Sequence, residues 1–121
     1  MYKIILYKDI NNKSDIQEYL NNLQKKKDKD SRIKFNKVTA YINLLSEYGL
    51  ELGNPYIKFI EDGIWELRPL RDRIFFAYIE DNTFILLSMF MKQTQKTPRK
   101  EIEKAKKCLK DFRKRSDNCE K

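Results

Sequence analysis

The sequence predicts an α+β fold in a single domain spanning residues 1–121. One alternating apolar segment at the start is typical of a strand, and two segments with apolar residues at three- and four-residue spacing follow it. Four short strand-like runs separated by tight-turn residues come next, and a basic helical segment ends the chain. The predicted order is therefore β-αα-ββββ-α, and we expect a disordered tail over about the last six residues.

The first half predicts one strand and a helical hairpin. The strand is expected over Tyr2–Tyr7, and Ser14 is a suitable N-cap for the first helix. The second helix is predicted from about Ser31 to Tyr48, with Gly49 ending it. The Lys25–Arg32 connection contains no apolar residue, which indicates a solvated junction between the helices; a basic clamp is the alternative. Such a hairpin needs an apolar surface to pack on.

The second half predicts an antiparallel meander followed by a helix. Its four strands are expected over Tyr56–Ile60, Ile64–Leu70, Ile74–Glu80 and Thr83–Met91. Tight turns at Glu61–Gly63, Arg71–Arg73 and Asp81–Asn82 join them. Because the third of these strands is apolar on both faces, we expect it at the centre of the sheet. The final helix is predicted from Pro98 to about Lys114, with Thr97 as its N-cap.

The charge of the chain favours a polyanionic partner. Lysine and arginine number 26 against 18 acidic residues, which gives a formal net charge of +8. Nucleic acid is the first candidate, an anionic membrane surface the second and an acidic protein the third. The alternative is that the charge serves only to keep the protein soluble. The longest apolar run, Phe84–Met91, is too short to span a membrane.

The remaining composition predicts a cytoplasmic protein without a metal or cofactor. No segment has the pattern of a signal peptide. Cys108 and Cys119 lack partners at metal-ligand spacing, which suggests a reducing compartment. The chain has no histidine, so zinc and haem sites are disfavoured. Acid–base chemistry would then need a lysine, tyrosine or carboxylate with a shifted pKa, or would be replaced by charge stabilisation alone.

Strand alternation predicts one polar, cationic face. It places Glu66 and Arg68 opposite Trp65 and Leu67. On the last strand it groups the side chains into two sets, Ser88, Phe90 and Lys92 on one face and Leu87, Met89 and Met91 on the other. The concave side is predicted to collect five cations and one carboxylate: Lys58, Glu66, Arg68, Arg73, Lys92 and Lys96. Such a cleft suits an RNA backbone and an unstacked base.

Each of these residues also has an ordinary structural explanation. Arg68 could pair with Glu66 across the sheet, Lys92 could be a strand-end lysine, and Arg73 could pair with Asp72. Tyr78 is the aromatic residue assigned to RNA contact, and a core position with a tethered hydroxyl is its alternative. These explanations account for single residues more easily than for the whole cluster, because several independent explanations would all have to be true at once.

Three motifs in order resemble a known toxin family. They are Gly63-Ile-Trp-Glu-Leu-Arg68, Arg73-Ile-Phe-Phe76, and Phe90-Met-Lys-Gln-Thr-Gln-Lys-Thr-Pro98 before a basic helix. With the upstream segment Gly53–Lys58, they resemble the HigB branch of the RelE-like toxins, also called the phage-derived Gp49-like family. The resemblance covers roughly Tyr2 to Arg113. The family pattern has a second lysine where this chain has Gln93.

The resemblance implies a type II toxin with a microbial-RNase-like α+β fold, in which helices pack on one face of an antiparallel sheet. Its implied activity is that of an mRNA interferase, an endoribonuclease that inhibits translation by cleaving mRNA, usually on the ribosome. The implied reaction is metal-independent attack of a ribose 2′-hydroxyl on the adjacent phosphate. The implied partner is a small helix-turn-helix (HigA-like) antitoxin, with operator DNA bound only through the toxin–antitoxin complex.

Carried onto this sequence, the resemblance makes Arg68, Arg73 and Lys92 the phosphate-binding catalytic candidates. Glu66 is the carboxylate placed as a candidate general base, and a lysine whose pKa is lowered by neighbouring cations is the alternative. Lys58 and Lys96 are expected to position the RNA backbone. Two alternatives remain open: a non-catalytic basic module that binds RNA or the ribosome, and an inactive relative kept as an operon-repressor partner, which the glutamine at position 93 would explain.

Overall fold

The computed structural model describes residues 1–119 and contains three α-helices and five strands in the predicted chain order. Their bounds are β1 (Lys3–Leu6), α1 (Asp15–Lys25), α2 (Lys29–Tyr48), β2 (Ile57–Glu61), β3 (Ile64–Leu67), β4 (Asp72–Ile79), β5 (Thr83–Met91) and α3 (Arg99–Cys119). A single 3₁₀ turn, Gly49–Leu52, follows α2. The predicted α+β class is confirmed.

The five strands form one sheet in the order β1-β5-β4-β3-β2. The meander from β2 to β5 is antiparallel, and β4 lies at the centre as its two apolar faces predicted. β1, however, runs parallel to β5, with Lys3 opposite Thr83 and Leu6 opposite Leu86. The sheet is therefore mixed rather than wholly antiparallel. The helical hairpin carries the chain from β1 at one edge of the sheet to β2 at the other, a connection long enough to leave β1 parallel to β5.

Helices cover both faces of the sheet, so the expectation of helices on one face is wrong. On one side α1 and α2 bury Leu67 and Phe76, with Val38 and Leu45 among the residues of the same core. On the other side α3 packs on the alternate residues of the same strands, which include Phe75. The cause is in β4 itself: a strand apolar on both faces requires an apolar cover on each.

Two boundaries differ from the predicted ones for local reasons. β3 ends at Leu67, three residues early, because Pro69 has no N–H and instead accepts a hydrogen bond from the Asp72 backbone at 3.0 Å. The turn thus precedes Asp72, and Asp72 and Arg73 belong to β4. The second helix begins at Lys29 because the side chain of Asp28 caps it, accepting from the Ser31 backbone N–H at 3.0 Å.

A β-bulge in β5 changes the predicted alternation. Phe75 lies opposite Ser88, whereas its neighbour Phe76 lies opposite Leu86, so Leu87 is the extra residue. Leu87 packs in the core beneath α3 together with Phe75. The expectation that Leu87 faces away from Ser88 is therefore wrong, while Ser88 and Phe90 keep their predicted face.

An ion-pair network joins α3 to the β2–β3 hairpin. Arg99 contacts both oxygens of Glu61, at 2.5 and 2.6 Å, and Lys106 contacts Glu61 and also Asp62 at 2.8 Å. These contacts fix the start of α3 beside the hairpin. At its other end α3 continues to Cys119, into the segment expected to be a tail, and Glu120 and Lys121 lie outside the described residues. Within residues 1–119 no helix has the length and apolarity to cross a membrane.

We expect Gly49→Ala to destabilise the protein by about 3 kcal/mol, because strain and a steric clash act together. Gly49 has φ +60°, and an added Cβ would lie 2.5 Å from Cε2 of Tyr2. Gly63→Ala is the matched control, since Gly63 has φ +78° but no atom within 4 Å of an added Cβ. It should cost about 1 kcal/mol in urea unfolding. Equal losses for the two variants would contradict the role of the Tyr2 contact.

The Glu61 network predicts an acid-sensitive contribution to stability. Hydrogen bonds from Arg99 and Lys106 lower the pKa of Glu61 from its ordinary value of 4.5 to about 2. Its stabilising effect is therefore complete above pH 4.5 and is lost as the pH falls toward 2. The difference in unfolding free energy between the wild type and Glu61→Gln should be constant above about pH 5 and shrink below it. Urea titrations at several pH values measure this difference, and one that does not change with pH would refute the assignment.

Candidate functional site

A buried carboxylate lies at the centre of the predicted cluster. Glu66, in the middle of β3, is 1% exposed. Its Oε1 lies 3.4 Å from Nε of Arg68 and 3.6 Å from Nε of Arg73. Its Oε2 accepts a 2.9 Å hydrogen bond from the hydroxyl of Thr97. One carboxylate therefore contacts Arg68 just after β3, Arg73 near the start of β4 and Thr97 just before α3. Its negative charge compensates the two guanidinium groups.

Arg73 is fixed by the turn that precedes β4. The residue is 9% exposed, and its Nη1 donates to the carbonyl oxygens of Leu70 at 3.0 Å and Asp72 at 2.8 Å. Burial lowers the pKa of the Arg73 guanidinium and Glu66 opposes this shift, but an arginine remains protonated at any working pH. The carboxylate of Asp72 turns to the other side and accepts a hydrogen bond from the hydroxyl of Tyr19. The expected alternative, pairing of Arg73 with that carboxylate, is replaced by hydrogen bonds to backbone carbonyls.

Lys92 brings the third cation to the cluster. Its backbone N–H donates to the carbonyl of Arg71 at 2.8 Å, which extends the β4–β5 pairing by one position. Partial burial lowers the pKa of the Lys92 ammonium, and the positive charges of Arg73, Arg68 and Lys58 lower it further, while Glu66 acts in the opposite direction. The structure therefore gathers Arg68, Arg73 and Lys92 around Glu66, as strand alternation predicted.

An open cleft of about 320 Å³ lies beside this cluster. Residues from two loops line it, namely Leu70, Arg71, Arg73, Lys92, Gln93, Thr94 and Gln95. Cations, amides, a hydroxyl and one leucine thus face the same space. A phosphate oxygen could accept hydrogen bonds from the arginines and the lysine here. Gln93, where the chain differs from the toxin-family pattern, lies inside this cleft.

Of the predicted site residues, Arg73 and Lys92 line the cleft, and Glu66 and Arg68 lie in the cluster beside it without lining it. The other three lie outside both the cleft lining and the cluster. Lys58 lies directly across the strand pair from Glu66, on the same face, and its side chain is exposed. Lys96 is exposed in the connection between β5 and α3 and does not line the cleft. Tyr78 is on the opposite face, where its ring contacts Phe84 at 5.3 Å between centroids.

Tyr78 therefore lies on the sheet face opposite Arg73, apart from the cluster, and its role as an RNA contact stays a prediction. Tyr78 is separated from Arg73 by an odd number of positions on a regular strand, so the two side chains point to opposite faces. Its hydroxyl accepts a hydrogen bond from the backbone N–H of Asn82 at 3.2 Å, and the side chain is 42% exposed. The tethered hydroxyl expected for the alternative role of Tyr78 is present, although the residue is more exposed than a core residue.

The sequence reading missed three residues of the site. Leu70 and Arg71 were placed at the end of a strand and in a turn, although Pro69 was a signal that the strand ends earlier. Thr97 was expected to cap α3, but its hydroxyl donates to Glu66. No sequence pattern links Thr97 to Glu66, since the contact joins residues 31 positions apart. Among the described residues no group of acidic side chains and cysteines is placed to hold a metal ion.

We expect Glu66→Gln to destabilise the protein by about 3 kcal/mol, because it leaves the buried Arg73 and the partly exposed Arg68 without their counter-charge. Thr97→Val should cost about 1 kcal/mol, because it removes one hydrogen bond and keeps the carboxylate. Glu103→Gln, which changes a half-exposed carboxylate of the surface network, is the control for charge alone and should have an effect below about 1 kcal/mol. Urea unfolding measures all three. If Glu66→Gln were no more harmful than Glu103→Gln, the central role of Glu66 would be refuted.

Comparison with known proteins agrees with the motifs of the sequence. The family model described as "Phage derived protein Gp49-like (DUF891)" matches residues 18–110, about three quarters of the chain. That range contains β2 to β5, Glu66, the three clustered cations and the cleft-lining loops. No curated protein matches the sequence at a significant level. The chain belongs to the phage-derived Gp49-like family.

Proposed function

We propose that the protein is the toxin of a type II toxin–antitoxin pair, with the RelE-like arrangement of the HigB branch, and that it is an endoribonuclease that cleaves mRNA. The observation that carries the proposal is the convergence of Arg68, Arg73 and Lys92. They come from the ends or starts of β3, β4 and β5, and they meet around one buried carboxylate next to an open cleft. A core does not require this arrangement, whereas a phosphodiester site does.

The proposed chemistry is attack of a ribose 2′-hydroxyl on the neighbouring phosphate, which breaks the bond to the 5′-oxygen. The products are a 2′,3′-cyclic phosphate and a free 5′-hydroxyl. Negative charge increases on the non-bridging oxygens in the transition state, and fixed cations stabilise that charge selectively. Arg73 is held by two carbonyls and Arg68 by Glu66, so neither guanidinium needs to reorganise during the reaction.

Proton transfer is assigned to Lys92 rather than to Glu66. Glu66 is 1% exposed and already holds Thr97 and two arginines, so a ribose hydroxyl cannot reach it. We therefore give it a positioning role in place of the expected role of general base. The arginines stay protonated and cannot act as bases. Lys92 lines the cleft and its pKa is lowered, which brings a lysine closer to the range in which it can exchange a proton.

We further propose a cytoplasmic protein that acts on mRNA at the ribosome and is neutralised by a small helix-turn-helix antitoxin. The net charge of +8 favours an antitoxin with an acidic segment that covers the cleft. Operator DNA would be bound only by the complex of the two proteins. Co-expression with the neighbouring open reading frame, followed by purification of the complex, tests this partnership directly.

We expect purified protein to cleave mRNA on ribosomes kept intact with Mg²⁺ and to leave a cyclic phosphate. Free RNA is assayed in parallel in the presence of EDTA, which tests cleavage without a metal ion and without ribosomes. An RNA with a 2′-deoxynucleotide before the cleavage point should resist cleavage, because the nucleophile is absent. Lys92→Gln should reduce the single-turnover rate by about 10²–10³-fold. Lys92→Arg, which keeps the charge but does not titrate, should be reduced by a similar factor. Mass spectrometry of the products and gel-based rates provide the readout.

Lys37→Gln is the matched control, because Lys37 is an exposed lysine on α2, away from the cleft. It removes the same charge and should leave the rate unchanged. Wild-type activity in Lys92→Arg would assign Lys92 a purely electrostatic role. Tight RNA binding without cleavage, with and without ribosomes, would instead support a non-catalytic binding protein and would refute the enzyme proposal.

A further inference from the structure

Leu70 is an exposed leucine in a backbone conformation that disfavours leucine. The residue is 47% exposed, and its φ of +56° lies in the left-handed region. The other non-glycine positions with positive φ in the described chain are all asparagine or aspartate: Asn12, Asp62, Asp81 and Asn82. Those two residue types tolerate the left-handed region because their short polar side chains hydrogen-bond locally. The chain thus uses the tolerant residues in its other turns and an apolar one here.

The surrounding contacts hold Leu70 in this conformation. Its carbonyl accepts a 3.0 Å hydrogen bond from Nη1 of Arg73, and the turn is closed by the Asp72 N–H to the Pro69 carbonyl at 3.0 Å. Strained residues that persist because the structure around them is fixed occur preferentially at functional sites. The unusual feature of Leu70 among the exposed apolar residues is its positive φ, which directs attention to what its side chain faces.

Leu70 lines the 320 Å³ cleft together with two glutamines and two arginines. A phosphate needs only the cations. An apolar side chain beside amides is instead suited to a nucleobase, which has a flat apolar face and a hydrogen-bonding edge. Gln93 and Gln95 can each donate and accept on such an edge, and the guanidinium of Arg71 can stack on or bond to a base.

We propose that this part of the cleft is a nucleobase subsite, in which Leu70 contacts the face of an unstacked RNA base and Gln93 contacts its edge. The inference rests on the proposed function, since it names how the same site holds its RNA. It also gives Gln93 a role: an amide at this position reads a base, where a second lysine would contact a phosphate.

Binding of non-cleavable RNA tests the subsite. The probes are fluorescent 2′-O-methyl RNA hexanucleotides of mixed sequence. One probe carries all six bases, and each of six others lacks the base at one position. Wild-type protein should bind the intact probe about fivefold or more tightly than the probe that is abasic at the subsite position. Leu70→Gly should lose this preference yet bind that abasic probe within about twofold of the wild type, because the phosphate contacts remain. Gln93→Ala should alter the preference among bases.

Thermal unfolding separates a binding role from a structural one. Leu70→Gly should leave the unfolding temperature unchanged or raise it, because relief of the positive φ offsets the loss of a half-exposed side chain. Asn82→Gly, a change at φ +54° in the β4–β5 turn, and Leu50→Ala, a change at a 39% exposed leucine, should leave RNA binding unaltered.

A base preference retained in Leu70→Gly would overturn the proposal and point to a protein contact at this leucine. A wild type that does not distinguish intact from abasic RNA would overturn it as well, and so would a large fall in unfolding temperature for Leu70→Gly. Binding is measured without cleavage, so the subsite can be confirmed even if the protein is not a ribonuclease. Conversely, cleavage without a base preference would leave the proposed function intact and refute only this inference.

Discussion

The buried carboxylate of Glu66 is the constraint on which the functional face depends. A charge that is 1% exposed requires compensation, and Arg68, Arg73 and Thr97 provide it. The dependence is mutual, because the two guanidinium groups lie close together and would repel each other without the carboxylate. Nε of Arg68 and Nε of Arg73 are buried without a hydrogen bond in the described structure, so the arginines are held by charge and by the turn more than by ideal hydrogen bonds. Nη1 of Arg73 is occupied by the carbonyls of Leu70 and Asp72, so within the described residues it is Nη2 of Arg73 and the terminal nitrogens of Arg68 that remain for another partner.

The two-sided cover of the sheet determines where this face opens. α3 packs over the centre of the sheet, on Phe75 and Leu87, and its ion pairs with Glu61 and Asp62 fix its first turns beside the β2–β3 hairpin. At the start of β4 and just past the end of β5, Arg73 and Lys92 line the open cleft. They lie on the sheet face that α3 covers at Phe75, and Glu66 lies beside Arg73. The site is thus the edge of the second core, with charged residues in place of apolar ones.

The strand period was sufficient to predict the cluster, because side-chain direction alternates reliably where strands are regular. Glu66 has its predicted face, and Arg68 and Lys92, each one residue past the end of a strand, lie near it as their parity predicted. Arg73, predicted in a turn, lies in β4 on the same face. The same rule, applied to β4, places Tyr78 on the face opposite Arg73. Alternation failed at Leu87, because a bulge is not visible in the sequence. The position of α3 also could not be read from its own apolar stripe, since a stripe shows that a helix packs on a sheet but not on which face.

The glutamine at position 93 does not leave the cleft short of positive charge. Arg71 lines the same space as Gln93 and Lys92, so the cleft holds three cations, Arg71, Arg73 and Lys92. Arg73 and Lys92 already have pKa values lowered mainly by burial, and each is affected by the positive charge of Arg68. A further lysine at position 93 would add a like charge near them without adding a carboxylate to balance it. An uncharged amide avoids that repulsion and keeps a hydrogen-bonding group in the cleft, so the substitution is compatible with a phosphate-binding site and is a reason for it to discriminate among bases.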